Sequence, residues 1–216
     1  MEPQGIRHLI LDLGGVLFDI DYSLTVKAFE KLGFGGFDRW YSQQRQSPLF
    51  DEWEKGMLDE ASFRSEIRSI SKMDAPDHAI DAAWNAMLLG FPKSSVLLLK
   101  RLKVNHTLHL LSNTNPLHER AFRIMFNEAH PDLDFDRQFD KVYLSHHLGK
   151  RKPDADVFKH VMYESGITAE ESLFVDDSIQ HVEGARACGI HALWLQRQGE
   201  TEKLLSEAGI LDQRRS

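Results

Sequence analysis

The chain has little cysteine and no surplus of basic residues, and each shortage excludes a class of protein. A single cysteine, Cys188, among 216 residues excludes an intrachain disulfide and a cysteine-based metal cluster. We interpret Cys188 as a packing residue near a helix end and not as a nucleophile. The formal net charge is −7, so no positive excess is present to neutralise nucleic-acid phosphates. We therefore expect no nucleic-acid partner, although a small anionic substrate needs only local positive charge.

Long hydrophobic runs are also missing. Crossing a bilayer takes about twenty mostly apolar residues, and no such run occurs. The first apolar run follows the acidic Glu2 and reaches Asp12 before a signal-like segment develops. We expect a cytoplasmic protein with no membrane partner. The length of 216 residues, 42% of them hydrophobic, suits one domain or one domain with an insert. The sequence does not indicate an oligomeric state.

Short apolar runs alternate with helical patterns along most of the chain. The runs predict strands at His8–Leu13, Leu108–Leu111, Val142–Leu144, Leu173–Val175 and Ile190–Leu195, and a basic loop after the third of these. Helices are predicted at Ser94–Val104, Pro116–Glu128, Asp154–Ser165 and Ser178–Cys188. This alternation indicates an α/β fold, with a parallel sheet covered by helices on both faces.

One segment interrupts the alternation. From about Asp21 to Leu89 the periodicity is helical and no strand is evident. Trp40, Trp53 and Trp84 lie in this segment, and we expect them in its hydrophobic core rather than stacked on a substrate. We predict a catalytic core formed by residues 1–18 and 92–216, a helical domain formed by residues 19–91, and hinges near 17–21 and 89–93.

Polar residues follow the predicted strands at their carboxyl ends, the edge at which open parallel sheets bind ligands. They are Asp12, Ser112, Asn113, Lys152, Asp176 and Asp177. A carboxylate can attack phosphorus and form an acyl phosphate. Oxygen ligands of this kind suit Mg²⁺, while a hydroxyl and an ammonium can hold phosphoryl oxygens as their charge shifts. The set therefore predicts magnesium-dependent phosphoryl transfer.

Four segments together resemble the ordered motifs of the haloacid dehalogenase superfamily. They are D-L-G-G-V-L at Asp12–Leu17, L-S-N-T-N at Leu111–Asn115, R-K-P at Arg151–Pro153 and F-V-D-D-S at Phe174–Ser178. The resemblance spans nearly the whole chain. It implies a Rossmann-like core with a helical cap inserted after the first strand.

The resemblance also implies residue roles, which we state as expectations. Asp12 is then the nucleophile and a metal ligand. Ser112 and Lys152 bind phosphate, with Asn113 beside them, and Asp177 ligates Mg²⁺ together with the carbonyl of Gly14. Asp176 supports the metal site.

A closer resemblance is to bacterial alpha-D-glucose-1-phosphate phosphatases. It rests on D-I-D at Asp19–Asp21, S-N-T-N-x-L-H at Ser112–His118, Y-L-S-x-x-L-G-x-R-K-P at Tyr143–Pro153 and E-G-A at Glu183–Ala185. Because most of these residues lie in the core, they indicate lineage more than substrate. We expect a small phosphorylated metabolite, such as a sugar phosphate.

Gly14 departs from the superfamily pattern, which usually has an acid-base Asp two residues after the nucleophile. Glycine offers a carbonyl to a metal but no proton carrier. Asp19 or Asp21 is an alternative carrier, unless both cap the first helix of the insert. His181 either lies near Asp177 with a hydrogen bond or faces solvent.

Three functions therefore stay open: a phosphatase, a metal-free dehalogenase, and a catalytically silent protein that binds a phosphosugar. In the dehalogenase case the Asp176–Asp177 pair would be repulsive without purpose.

Two further motifs have simpler interpretations. Gly33–Gly36 follows a helical pattern and not a strand, so we predict a turn in the cap rather than a dinucleotide loop. His146 and His147 are interpreted as a pair of loop histidines, because no second group of metal ligands stands at fixed spacing.

Overall fold

A parallel sheet of five strands forms the centre of the molecule. The computed structural model describes residues 5–41 and 48–211. In chain order the strands are β1 (His8–Leu11), β2 (Asp19–Ile20), β3 (Leu88–Gly90), β4 (Thr107–Ser112), β5 (Lys141–Leu144), β6 (Ser172–Asp176) and β7 (His191–Trp194). The central sheet has the order β5-β4-β1-β6-β7, and all of its neighbouring strands are parallel. The α/β fold predicted from the alternating pattern is confirmed.

Ten α-helices accompany the strands in the described residues. They are α1 (Tyr22–Lys31), α2 (Pro48–Glu54), α3 (Glu60–Ser71), α4 (Asp77–Asn85), α5 (Lys93–Leu102), α6 (Pro116–Ala129), α7 (Ser145–Leu148), α8 (Ala155–Ser165), α9 (Ile179–Ala187) and α10 (Thr201–Glu207). The short helix α7 lies where a basic loop was predicted. One helical turn of four residues is too short to show a hydrophobic period.

Both faces of the sheet are buried, as a parallel sheet requires. Successive residues of β1 alternate between the faces: Leu9 and Leu11 pack in one hydrophobic cluster and Ile10 in another. Helices α5, α6 and α10 contribute to the first cluster, and α8 and α9 to the second. The helices on both faces of the sheet are therefore held by alternate residues of an apolar run, Leu9–Leu11, in β1.

Residues between β2 and β3 form a helical layer with a hydrophobic cluster of their own. Trp53 and Trp84 are fully buried in it. Trp40 was expected there too, but it is 38% exposed, since it lies at the end of a short turn and contacts Phe34 from the outside. The predicted turn at residues 33–36 is present.

Helix α6 of the core holds this helical layer. The His118 ring stacks on Trp84 with ring centroids 4.9 Å apart, and its Nε2 lies 3.1 Å from the Trp84 carbonyl. The indole of Trp84 donates to Asn115, which also caps α6. At the surface, Arg120 makes two hydrogen bonds to Glu60. The helical layer is thus fixed to one helix through stacked rings and ion pairs.

The two chain crossings between core and helical layer pair with each other. β2 and β3 form an antiparallel ribbon of two strands. A strand at 88–90 was not predicted, because two or three residues cannot show an alternating pattern. The predicted domain boundaries stay a prediction, and their parts at residues 1–4, 42–47 and 212–216 lie outside the described residues.

No helix in residues 5–41 and 48–211 has the length and apolar character needed to cross a membrane. The cytoplasmic location stays a prediction from the sequence.

Candidate active site

The carboxyl ends of the strands bring all six predicted strand-end residues to one region. Leu11 of β1 pairs with Leu110 on one side and Val175 on the other, so the next residues of each chain segment emerge together. Asp12 follows β1 directly, and its N–H donates to the Val175 carbonyl at 3.0 Å. Asp12 is therefore fixed at the backbone while its buried side chain faces a cavity.

The loop after Asp12 depends on glycine at position 15. Gly15 has φ = +75°, a conformation that disfavours any residue with a Cβ. A Cβ added there would lie 2.3 Å from Oδ2 of Asp177. Gly15 thus lets the Asp177 carboxylate approach the loop that follows the first strand.

Lys152 lies between two carboxylates and is completely buried. Its Nζ donates to Oδ1 of Asp12 at 2.7 Å and to Oδ2 of Asp176 at 2.6 Å. Burial disfavours the ammonium, but the two carboxylates outweigh it and raise the pKa of Lys152. Lys152 is therefore charged, and it joins the ends of β1 and β6 through charge-assisted hydrogen bonds.

Asn113 positions Lys152 through the backbone. Its side-chain amide donates to the Lys152 carbonyl, and its Oδ1 accepts from the Lys152 N–H, both at 2.9 Å. This amide pair mimics one rung of a strand ladder. Ser112 lines the same cavity at the end of β4. The predicted contacts of Asn113 and Ser112 with substrate stay predictions.

Asp176 is fully buried and both of its oxygens are engaged. The Ser178 N–H donates to Oδ1 at 2.8 Å, and Lys152 occupies Oδ2. Nδ1 of His181 lies 3.0 Å from Oδ1 and must donate, because a carboxylate only accepts. Burial opposes the charged form of Asp176, but Lys152 and His181 overcome it and lower its pKa to about 2. Of the two interpretations of His181, the hydrogen bond holds, but to Asp176 instead of Asp177.

Asp12, Asp176 and Asp177 crowd three carboxylates together, with one donor atom of each within 4.8 Å of the others. Burial, together with the charges of Asp12 and Asp176, raises the pKa of Asp177 to about 8. Burial also raises the pKa of Asp12, in spite of Lys152. One ammonium does not balance three carboxylates, so this set of hard oxygen donors fits a divalent cation.

The helical layer supplies the opposite wall of the cavity, which sequence analysis did not identify. Tyr22, Tyr41 and Glu54 line it, together with Arg151 from the core. Arg151 makes an ion pair with Glu54 at 2.9 Å and a second one with Asp51. The R-K-P motif includes Arg151, but no periodic signal connects it with α2, about 100 residues earlier in the chain.

Asp19 and Asp21, the alternative proton carriers, do not line the cavity among the described residues. Asp21 is the N-cap of α1 and accepts from the Ser23 N–H at 2.9 Å, so the capping interpretation holds for Asp21 but not for Asp19. Asp19 pairs with Gly90 in the β2–β3 ribbon.

Gly14 lines the cavity beside Asp12. A Cβ added at Gly14 would lie 3.1 Å from Cδ1 of Ile20 and at least 3.7 Å from any other atom. Its φ is outside the positive region, so the backbone there does not require glycine. The absence of an acid at this position is therefore a feature of the sequence and not a demand of the fold.

Comparison with known proteins agrees with this geometry. Residues 110–195 match the family model described as haloacid dehalogenase-like hydrolase. The fold is similar to that of a HAD family enzyme of Bacteroides thetaiotaomicron, a variant in complex with magnesium and inorganic phosphate, with TM-score 0.85 and 32% identity, covering 91% of this chain and 96% of the other.

Two further relatives cover most of both chains. The sequence is 29% identical over 186 residues to a D-ribitol-5-phosphate phosphatase of Bacteroides thetaiotaomicron, covering 85% of this chain and 89% of that protein. A HAD-like hydrolase of Porphyromonas gingivalis has TM-score 0.84 and 28% identity, with coverage of 97% and 100%. The chain therefore belongs to the haloacid dehalogenase-like hydrolases.

Proposed function

We propose that the chain is a magnesium-dependent phosphatase that hydrolyses a small phosphorylated metabolite through an aspartyl phosphate on Asp12. Members of its family are phosphatases, and the chain is a phosphoric monoester hydrolase. The observation that best supports the proposal is the cluster of Asp12, Asp176 and Asp177 around Lys152 at one cavity wall. Nucleophile, cation site and phosphate-binding ammonium then lie within reach of one phosphoryl group.

The reaction has two steps. A carboxylate oxygen of Asp12 attacks phosphorus, the P–O bond to the ester oxygen breaks, and the ester oxygen leaves as an alkoxide that takes a proton from solvent water. Water then attacks the aspartyl phosphate, which releases inorganic phosphate and restores the Asp12 carboxylate. Lys152 and the Ser112 hydroxyl hold the phosphoryl oxygens as their charge shifts. Asn113 keeps Lys152 in place through the paired amide described above.

Asp12, Asp177 and the Gly14 carbonyl would hold Mg²⁺. A bound Mg²⁺ supplies positive charge that offsets the repulsion between the phosphoryl group and the carboxylates. Because both oxygens of Asp176 are already engaged by Lys152, Ser178 and His181, we assign Asp176 a supporting position and not a place in the inner coordination sphere.

Residues 19–91 would act as the cap over this site, with residues 1–18 and 92–216 as the catalytic core. The separate hydrophobic cluster of the helical layer supports this division. So does the cavity, whose walls come from both parts. A cap that closes over the cavity would exclude water during transfer.

We infer a sugar or polyol phosphate as substrate, with glucose 1-phosphate as the first candidate. Tyr22, Tyr41, Glu54 and Arg151 offer donors and acceptors on the cap side, and such groups suit hydroxyls rather than an apolar chain. A relative that acts on D-ribitol 5-phosphate makes that compound the second candidate.

The proposal is tested by measuring phosphate release from glucose 1-phosphate, D-ribitol 5-phosphate and a wider panel, with and without Mg²⁺. We expect turnover that chelation abolishes and Mg²⁺ restores. Asp12→Asn keeps the shape of the side chain and should end turnover while the protein stays folded, as circular dichroism would report.

Each contrary result points to a different alternative. Full release of phosphate after chelation would contradict the metal assignment, whereas release of halide from a haloacid without release of phosphate would favour the dehalogenase interpretation. Tight binding of a phosphosugar without release of phosphate would indicate the silent binding protein. Near-normal hydrolysis by Asp12→Asn would remove Asp12 as the nucleophile.

A further inference from the structure

A second group of metal-ligand side chains lies on the core, formed by Glu119 of α6 and by His146 and His147 of α7. Oε2 of Glu119 lies 2.9 Å from Nε2 of His146 and 3.1 Å from Nε2 of His147. One donor atom from each residue lies within 4.8 Å of the others. We propose that these three residues form a binding site for a borderline divalent transition metal such as Zn²⁺.

Two of the three donor-atom distances, those from Oε2 of Glu119 to the two imidazole nitrogens, are close to the spacing of tetrahedral coordination. Zn–N and Zn–O bonds of about 2.0–2.1 Å place neighbouring donors of a tetrahedron about 3.3 Å apart. The two distances from Glu119 need to lengthen by only a few tenths of an ångström. Two imidazoles and one carboxylate would leave the fourth position for water, and imidazole donors favour zinc, nickel, cobalt or copper over Mg²⁺.

The Glu119 carboxylate is prepared for this role. Its Oε2 lies within hydrogen-bond distance of Nε2 of His146 and beside Nε2 of His147. Arg123 donates to Oε1 at 2.8 Å and is itself paired with Asp136. Oε1 is thus occupied, while Oε2 faces the two imidazoles as a charged ligand.

The two histidines differ in exposure in the way that an accessible site requires. The His146 side chain is only 4% exposed, whereas that of His147 is 60% exposed. Nδ1 of His146 is buried with no hydrogen-bond partner among the described residues, so the ring is held in polar contact only through Nε2, at the corner where a cation would bind. His147 leaves that corner open to solvent.

The cluster is separate from the carboxylates around Lys152 and shares no residue with them. The chain just after α2 approaches this cluster closely, since a Cβ added at Gly56 would lie 2.3 Å from the His146 carbonyl oxygen. Next to His146, the Ser145 hydroxyl accepts a hydrogen bond from the Thr114 N–H and donates one to the Thr114 carbonyl. A metal here would join α6 to α7 beside the loop that follows β4 and begins with Asn113.

The test is Zn²⁺ binding to the full chain, followed by calorimetry, with Asp177→Asn as the background that weakens the other cluster. We expect one Zn²⁺ per chain in Asp177→Asn. His147→Ala in that background should weaken binding more than about tenfold, since changes to groups that only support a ligand already cost about 10- to 100-fold. His78→Ala, which removes an exposed helical histidine, is the matched control and should bind normally.

A second readout distinguishes loss of metal binding from loss of folding. Co²⁺ in a tetrahedral site of nitrogen and oxygen ligands absorbs visible light, and we expect that spectrum in Asp177→Asn but not after His147→Ala or Glu119→Gln. Circular dichroism identifies any variant that does not fold. No Zn²⁺ bound by Asp177→Asn, or equal affinity in a folded His147→Ala, would overturn the proposal. Neither result depends on turnover, so both are distinct from failure of the proposed phosphatase activity.

Discussion

Replacing Gly14 by Asp would restore a proton carrier at the position where the family usually has one. In the proposed reaction, Gly14 leaves the departing alcohol and the attacking water without an acid or base at this place. Without an acid, departure of the alcohol should be slowed less for sugar 1-phosphates, because an anomeric oxygen leaves more easily than a primary alkoxide. Attack of water on the aspartyl phosphate lacks a base at this position for every substrate. This hydrolysis should be slow, and the phosphoenzyme should accumulate.

The structure sets the cost of the substitution. The new Cβ meets a single close atom, Cδ1 of Ile20 at 3.1 Å, which is the end of a flexible and half-buried side chain. We expect the free energy of unfolding to fall by about 1 kcal/mol, near the lower end of the range for overpacking. Acid-base catalysis typically contributes 10²–10⁴-fold, equivalent to about 2.7–5.4 kcal/mol of barrier. Because the loss of stability is small, the variant should stay folded and the gain in rate should be measurable.

Rapid-quench measurement of phosphate release is the assay. Gly14→Asp should shorten the lifetime of the phosphoenzyme and reduce the burst seen in the native protein. Gly14→Ala separates the effect of the Cβ from that of the carboxylate, and Gly14→Asn has the same shape without the acid. Both controls should stay slow.

His181 offers the rival explanation. Its Nδ1 donates to Asp176, and the residue lines the cavity, so its other nitrogen could move the proton instead. Gly14→Asp would then be neutral or harmful, and His181→Asn would slow the second step. A native protein with no burst, and with no dependence on the acidity of the leaving group, would refute the reasoning about Gly14 altogether.

Three further predictions concern the residues around the site. Lys152→Met removes the ammonium shared by the buried carboxylates of Asp12 and Asp176 and should lower the free energy of unfolding by about 3–5 kcal/mol in metal-free protein; a smaller loss in urea titration would mean that the ammonium contributes little. Burial lowers the pKa of His118 to about 4, so the unfolded chain binds more protons below pH 6.5, and stability should fall as pH drops from about 6.5 towards 4. His118→Gln should reduce that slope without abolishing it, because the pKa of His109 is also about 4, and an unchanged slope in thermal unfolding would contradict the assignment. Gly15→Ala should displace the Asp177 carboxylate and raise the Mg²⁺ concentration needed for half-maximal activity, whereas an unaltered requirement would show that this contact is dispensable.

The strands and long helices were predictable because their residues are buried in simple periods. Every core strand lies within about two residues of its predicted position, and Ser178 and Cys188, the predicted ends of one helix, are the N-cap and C-cap of α9. Strand β1 ends at Leu11 rather than Leu13, because the apolar run continues into the loop and does not mark where hydrogen bonding stops.

Contacts between residues far apart in sequence were not predictable. His146 and His147 were interpreted as a pair of loop histidines, but they lie in α7. Glu119 lies 27 residues before His146 and reaches the pair only when α6 and α7 pack. The hydrogen-bond partner of His181 was not predictable for a related reason: which of two adjacent acids faces the start of a helix depends on the turn between strand and helix. The polar residues of the helical layer that line the cavity near Glu54 do not follow a periodic sequence pattern either.

The β2–β3 ribbon makes the helical insert exchangeable in principle. Asp19 and Gly90 are directly paired, and paired residues in such a ribbon lie about 5 Å apart, so the chain leaves the core and returns to it at nearly the same point. A segment of different length or shape could be joined at these two positions without a change in any strand of the central sheet. Chimeras that exchange residues 21–87 between relatives would therefore keep a common catalytic sheet and differ in what covers it.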